Sequence, residues 1–283
     1  AMAGMGLAAR KAAQETGVQP IIGCQLALAR EETSGAKTGG GKSGPDSDPF
    51  VVLVQNETGY RNLLRLIRIA YFGANDIDAP VNPCVTPADL ESHAGGLLAL
   101  TGGPAGPVGR LLAGGQTPAA EALLGKLAAF FPGRLYVEIM RHGLAAEKAT
   151  ETGFLDLAYR HDLPLVATNE AFFPDRRMFE AHDALLCIAE GVTVENADRR
   201  RVTAEHYLKS PDEMERLFAD LPEAISNTVV IARRCAFMIE KVKPILPPFD
   251  CGEGRTEAGE LRRQAEAGLE DRLQPICEGL ASA

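Results

Sequence analysis

Four short stretches hold the side chains best suited to chemistry: Gly23-Cys24-Gln25, Gly102-Gly103-Pro104, Arg141-His142-Gly143 and Asn169-Glu170-Ala171-Phe172. Their spacing places them at the C-terminal ends of apolar runs, where parallel α/β proteins carry their reactive groups. A hydrolytic metal centre there would need carboxylates, imidazoles or thiolates converging from several loops. Only Cys24, His142 and Glu170 are of that kind, and glutamine, glycine and phenylalanine cannot replace the missing ligands. The set reads as a poor metal cage, and no catalytic, cofactor-binding or metal-binding residue is assigned.

The remaining reactive residues are less organised. His142, with no acidic or cysteine companion beside it, reads as a hydrogen-bonded loop residue rather than a ligand or proton carrier. His182-Asp183 lies in a helical pattern with Ala181, Leu185 and Leu186, which points to packing or capping. His93, His161 and His206 fall in polar turns. The run Arg199-Arg200-Arg201, with Lys209 beyond it, is the one basic cluster; a solvated loop, a phosphate contact and an interdomain ion-pair surface all fit it. Six cysteines are scattered without a CxxC pair, so free thiols are expected and a disulfide or zinc framework is not. Gly39-Gly40-Gly41-Lys42-Ser43 imitates a phosphate-binding loop, but Ala36 stands where the motif needs its first glycine.

The elements that must position these residues alternate. Pro20–Leu28, Phe50–Val54, Gly96–Thr101, Leu135–Ile139 and Leu163–Thr168 are short and mostly apolar, as strands buried on both faces should be. Helical periodicity fills the intervals at Tyr60–Tyr71, Ala105–Leu112, Pro118–Phe131, Ala146–Tyr159 and Met178–Ala189. The order predicts parallel strands with helical crossovers, closed into a barrel or open and doubly wound. From about residue 205 only helices follow, one opened by the capping box Ser210-Pro211-Asp212-Glu213 and one after Pro222. Residues 31–49 are too polar to pack and read as a flexible insertion. The three prolines of Lys243–Phe249 predict an extended connector, and Thr256 caps a last helix with Leu261, Ala265, Leu269 and Leu273 on one stripe. An Ala-rich helix at the start ends at Gly17, and a first strand is expected upstream of it.

With 283 residues, 46% of them apolar, the chain can bury a sizeable core. Its formal charge of −9 argues against a surface built throughout for polyanions, though a local basic stripe remains compatible with it. Tryptophan is absent and aromatics are 6%, which disfavours a base-stacking platform. No apolar run reaches membrane-spanning length, so a cytoplasmic chain with no membrane partner is expected.

Several segments, in order, resemble a known family. Gly17-Val18-Gln19-Pro20-Ile21-Ile22-Gly23-Cys24, Val54-Gln55-Asn56-Glu57-Thr58-Gly59-Tyr60-Arg61-Asn62-Leu63, Leu98–Gly103, Tyr136–Ile139, Val166–Asn169 and Leu217–Ala224 are similar to bacterial replicative DNA polymerase III alpha subunits. The resemblance implies an N-terminal PHP domain, a distorted (β/α) barrel truncated at its start, followed by helices leading into a polymerase core. It divides the chain into a PHP domain at 1–240, a Pro-rich connector at 241–254 and the start of the core at 255–283. It also implies DNA-directed DNA polymerase activity with Mg²⁺ in the parent protein. The expected partners are the rest of the alpha subunit, the proofreading and sliding-clamp subunits, and primer-template DNA.

Active PHP members carry a cluster of His, Asp, Glu and Cys ligands. By the resemblance, Gln25, Pro49 and Gly103 stand where a glutamate, a histidine and a cysteine are expected, and Asn169-Glu170-Ala171-Phe172 replaces Asn-Asp-x-His. Glu170 alone could still bind metal. The implied function is a catalytically degenerate module that stabilises the polymerase core and docks the proofreading subunit; the alternative is a residual metal-dependent phosphoesterase or 3′-5′ exonuclease using Glu170 and His142.

Overall fold

The five apolar runs form one sheet in the order β1 (Gly23–Ala29), β2 (Ser47–Val54), β3 (Leu97–Leu100), β4 (Leu135–Met140) and β5 (Leu165–Thr168). The computed structural model describes residues 10–11, 13–30, 46–72, 83–240, 249–252 and 254–281. The chain divides into two compact units, Ala1–Ile239 and Glu240–Ala283.

Strands β3, β4 and β5 are parallel, as their pattern predicts, but β2 runs antiparallel to both β1 and β3. The burial pattern carries the difference. Strand β3 is buried at every position and β4 at all but its last, as parallel strands covered on both faces must be. Strand β2 alternates, with Asp48, Phe50, Val52 and Val54 inward and the residues between them half-buried, the one-sided pattern of an antiparallel strand.

Two boundaries also move. Strand β1 begins at Gly23 rather than Pro20, and β2 begins at Ser47, inside the stretch read as a flexible insertion. Asp48 is only 3% exposed, because Arg30 (2.8 Å) and Arg110 (2.8 Å) bring two guanidiniums to its carboxylate. The polar composition near residue 48 therefore marks a paired charge, which composition alone does not distinguish from a solvated loop. Residues 31–45 lie outside the described residues.

Helices occupy the predicted intervals. The helical residues 10–11 and 13–16 (α1) end at Gly17, whose φ of +73° is the left-handed stop expected there. They are followed by α2 (Glu57–Phe72), α3 (Pro87–Ser92), α4 (Pro107–Ala113), α5 (Thr117–Phe130), α6 (Ala145–Arg160), α7 (Phe179–Glu190), α8 (Pro211–Leu217) and α9 (Pro222–Arg234). Helix α3 is an addition, opened by the capping box in Thr86-Pro87-Ala88-Asp89. Asn227 on α9 donates to the Leu165 carbonyl at 2.8 Å and fixes that helix to β5.

In the second unit, α10 (Glu257–Ala281) starts after Thr256, whose hydroxyl accepts the Gly259 N–H at 3.2 Å. Its Leu261, Leu269, Leu273 and Ile276 are exposed. Residues 241–248 and 253 of the expected connector lie outside the described residues. No helix among the described residues is long and apolar enough to cross a membrane.

Candidate functional site

The C-terminal ends of β3, β4 and β5 converge on a buried polar cluster. Strand β3 leads into Thr101, then into Gly102 and Gly103 with φ of +82° and +57°. Gly102 passes so close to β2 that a Cβ on it would lie 2.5 Å from the Pro49 carbonyl oxygen. Its N–H donates to Glu138 Oε2 at 3.1 Å, and the Thr168 hydroxyl donates to Glu138 Oε1 at 2.7 Å. One carboxyl of β4 thus ties together the ends of β3 and β5. Burial raises the pKa of Glu138, and these two hydrogen bonds oppose the rise without cancelling it.

His142 follows β4 and is buried. Its Nδ1 lies 2.8 Å from Glu147 Oε1, and its backbone N–H donates to Glu147 Oε2 at 2.7 Å. Leu144 N–H donates to the same Oε2 at 3.0 Å. Burial acts to raise the pKa of Glu147, yet these donors together bring it below the ordinary carboxylate value. On the other side of the ring, Nε2 faces Asn169 Oδ1 at 3.2 Å. The Asn169 amide orientation is fixed because its Nδ2 donates to the Tyr207 carbonyl at 2.9 Å. Both imidazole nitrogens therefore have a protein oxygen at hydrogen-bond distance.

A column of rings closes the cluster. His206 stacks on His142 with centroids 4.1 Å apart, Phe172 lies 5.5 Å from His206, and His182 lies 5.4 Å from Phe172. Thr203 N–H donates to His206 Nδ1 at 3.1 Å, and the Thr203 hydroxyl donates to the His142 carbonyl at 2.7 Å. Burial lowers the pKa of His206, and the neighbouring His142 adds to the effect. Lys209, its side chain 5% exposed, is held by the Glu205 carbonyl and lies 4.4 Å over the Tyr207 ring. The hollow between Pro104, Glu138, Glu147 and Phe154 measures about 10 Å³, room for about one water molecule.

The four stretches chosen from sequence are only partly brought together. Gly102, Gly103, His142 and Asn169 meet; Glu170 is beside them but exposed. Gly23-Cys24-Gln25 opens β1 instead of closing it, and Cys24 is level with Ala99 in the middle of β3. Two antiparallel steps make β1 run the same way as β3, so a stretch that begins β1 lies toward the N-terminal end of the sheet, away from the strand-end cluster. His206, read as a turn residue, is buried in the ring column. The arginine run is not uniformly solvated: the Arg199 side chain is 5% exposed and pairs with Asp183 at 2.6 Å. His182 packs against Phe172 and Phe173, as its helical context predicts.

Sequence reasoning missed Glu138 and Glu147 and grouped Lys209 only with the arginine run. Glu138 had a signal, a lone carboxylate inside the apolar run Leu135–Ile139, which is costly unless it is bonded. Glu147, in the first turn of a helix, had the weaker signal of a helix-capping acid.

Among the described residues no three His, Cys, Asp or Glu side chains are grouped to hold an ion. His142 has a protein oxygen near each ring nitrogen, and the Phe172 ring stacks on His206 and His182.

Residues 7–142 match the PHP domain, and the chain has a mixed α/β architecture that agrees with it. Over nearly its whole length it is homologous to part of DNA polymerase III subunit alpha. It is 47% identical over 264 residues to that protein of Caulobacter vibrioides, which covers 93% of this chain and 22% of the relative. The Rickettsia bellii protein is 38% identical over 91% of the chain and 21% of the relative. That of Vibrio cholerae is 36% identical over 93% and 22%. The chain spans about a fifth of the length of the curated relatives it matches.

Proposed function

We propose that this chain is the PHP portion of a cytoplasmic DNA polymerase III alpha subunit, and that the portion is catalytically silent. In this reading residues 1–240 form the PHP module, 241–254 the connector and 255–283 the opening of the polymerase core. The module stabilises the core and offers a docking surface to the proofreading subunit. Polymerisation, its Mg²⁺, the sliding clamp and primer-template DNA belong to the remainder of the parent protein. The observation that carries the silent-site reading is the double engagement of His142, by Glu147 at Nδ1 and Asn169 at Nε2. An imidazole fixed this way is a structural strut, and a phosphoesterase needs ligands free to fix ions and room for an attacking hydroxide.

The test is metal analysis of the full-length polypeptide, together with phosphodiester hydrolysis assayed in Mn²⁺ or Zn²⁺ before and after Glu170→Ala. The expected result is no stoichiometric ion held in the PHP portion and no hydrolysis sensitive to Glu170. Several tightly held ions, or turnover abolished by Glu170→Ala, would overturn the reading.

A further inference from the structure

At the end of the sheet opposite His142 stand two arginines with no acidic partner among the described residues. Arg134 immediately precedes β4, and Arg234 is the last residue of α9. Arg134 Nη1 donates to the Ala94 and Leu97 carbonyls, both at 2.6 Å, and its guanidinium lies 5.7 Å from the Phe131 ring centre. Arg234 Nη1 donates to the Tyr136 hydroxyl at 3.0 Å and Nη2 to the Gly133 carbonyl at 2.9 Å, with the guanidinium 5.8 Å from the Tyr136 ring centre. Both side chains are half-buried and reach solvent.

This arrangement differs from that of four other arginines of the domain. Arg30, Arg110, Arg141 and Arg199 each have a carboxylate at 2.5–2.8 Å. Arg134 and Arg234 have only carbonyls, a hydroxyl and ring faces among the described residues, and these anchor a guanidinium without cancelling a unit charge. Among the described residues, each arginine also keeps N–H groups that no acceptor takes. Burial lowers the pKa of Arg134, and the charge of Arg234 lowers it further, so the two repel across this edge.

Arg234 is anchored on Gly133, the residue before Arg134, so two anchored guanidiniums of like charge lie near each other, a setting that favours an anion able to accept from both. A carboxylate has two oxygens, which a single fork occupies. A phosphate dianion has three or more terminal oxygens and a charge that matches the pair. We propose that Arg134 and Arg234 form an oxyanion site for a phosphate dianion, whether free phosphate, pyrophosphate or the terminal phosphate of a nucleotide. The site is separate from the strand-end cluster and does not depend on whether that cluster is silent.

The test titrates the full chain with inorganic phosphate, pyrophosphate and a nucleoside 5′-monophosphate, against chloride at equal ionic strength, and follows the thermal midpoint and binding by calorimetry. Saturable binding is expected for at least one of the three, weakened about tenfold or more in Arg234→Gln and in Arg134→Lys, as loss of charge-assisted hydrogen bonds requires. The strongest of the three probes identifies the source of the phosphate. Because Arg134 also caps two carbonyls, a second measurement uses only the wild-type chain: phenylglyoxal labelling mapped by mass spectrometry. Phosphate should protect Arg134 and Arg234 and leave the exposed Arg233 unprotected. Equal midpoints in phosphate and chloride, binding unchanged in both variants, or uniform labelling of all three arginines would overturn the proposal.

Discussion

His142 and Glu147 form a buried pair whose contact is double: the ring Nδ1 stands 2.8 Å from one carboxylate oxygen, and the backbone N–H of the same histidine donates to the other at 2.7 Å. The pair joins the end of β4 to the first turn of α6, so it sets the direction in which that helix leaves the sheet. Removing the carboxylate would leave two buried donors and the half-buried Leu144 N–H without this acceptor. Glu147→Ala should therefore cost about 3–5 kcal/mol, the range for breaking a buried pair from one side. Urea denaturation of the two proteins checks this. Glu121→Ala, which removes a partner of Arg160 and His161 at the surface, should cost clearly less. Equal losses would mean that the buried pair is not the strut described.

The ring column gives stability a pH dependence of definite sign. His206 has its pKa lowered by burial and by His142, with Lys209 also opposing its charge, while Glu147 acts the other way. Below about pH 6.5 the unfolded chain takes up a proton at this position that the folded chain refuses. Stability from His206 is thus complete above that pH, declines as pH falls towards the folded value, and then levels off. Glu147, with its lowered pKa, adds a further loss at more acid pH, where the unfolded carboxylate protonates first. Glu138, with its raised pKa, contributes with the opposite sign. His206→Phe keeps a ring in the column and removes the titration. Its urea midpoint should lose the decline between pH 7.5 and 5.5 that the wild type shows.

Helix α2 and the turn before β3 approach so closely that a Cβ on Gly59 would lie 1.9 Å from the Gly96 carbonyl oxygen. Asn56 Oδ1 accepts the Gly59 N–H at 3.0 Å and holds the helix start at that distance. Neither backbone can yield without disturbing β3, so Gly59→Ala should cost about 3 kcal/mol or more. Gly125→Ala, in a helix where the added Cβ meets nothing within 4 Å, should be neutral or slightly stabilising. Thermal midpoints of the two variants measure the contrast.

Gly59 also illustrates what the sequence makes legible. It lies in the segment Asn56-Glu57-Thr58-Gly59-Tyr60 that carries the family resemblance, and the structure gives that glycine a steric reason. The strands were legible because each contains a short, mostly apolar run between turn residues. The helices were legible from their periodicity, and α8 and α10 from Ser210 and Thr256. Strand direction was not: Phe50–Val54 is apolar at every position, and only the half-buried Val51 and Leu53 reveal a one-sided strand. The site was legible at His142 and Asn169, which follow strands directly. Glu147, Thr203, His206 and Lys209 reach it from a helix and a distant loop, and no spacing in the chain announces a contact made across 61 residues, as between Thr203 and His142.

Arg141, beside His142, supplies the last prediction. Its guanidinium bonds Glu151 at 2.5 and 3.1 Å and Asp220 at 2.6 and 2.8 Å, donates to the Leu217 carbonyl at 2.8 Å, and lies 4.7 Å from the Phe218 ring centre. One side chain therefore joins β4, α6 and the turn between α8 and α9, and hydrogen bonding to Asp220 and Glu151 raises its own pKa. A lysine ammonium keeps the charge but cannot present two forks in one plane, and it has no flat face to lay on Phe218. Arg141→Lys should accordingly cost about 1–3 kcal/mol. The loss should concentrate in the α8–α9 region, seen as faster hydrogen exchange of amides in 214–224 than in α5, which Arg141 does not touch. Uniform acceleration across the domain, or none, would show that the charge alone matters and the planar fork does not.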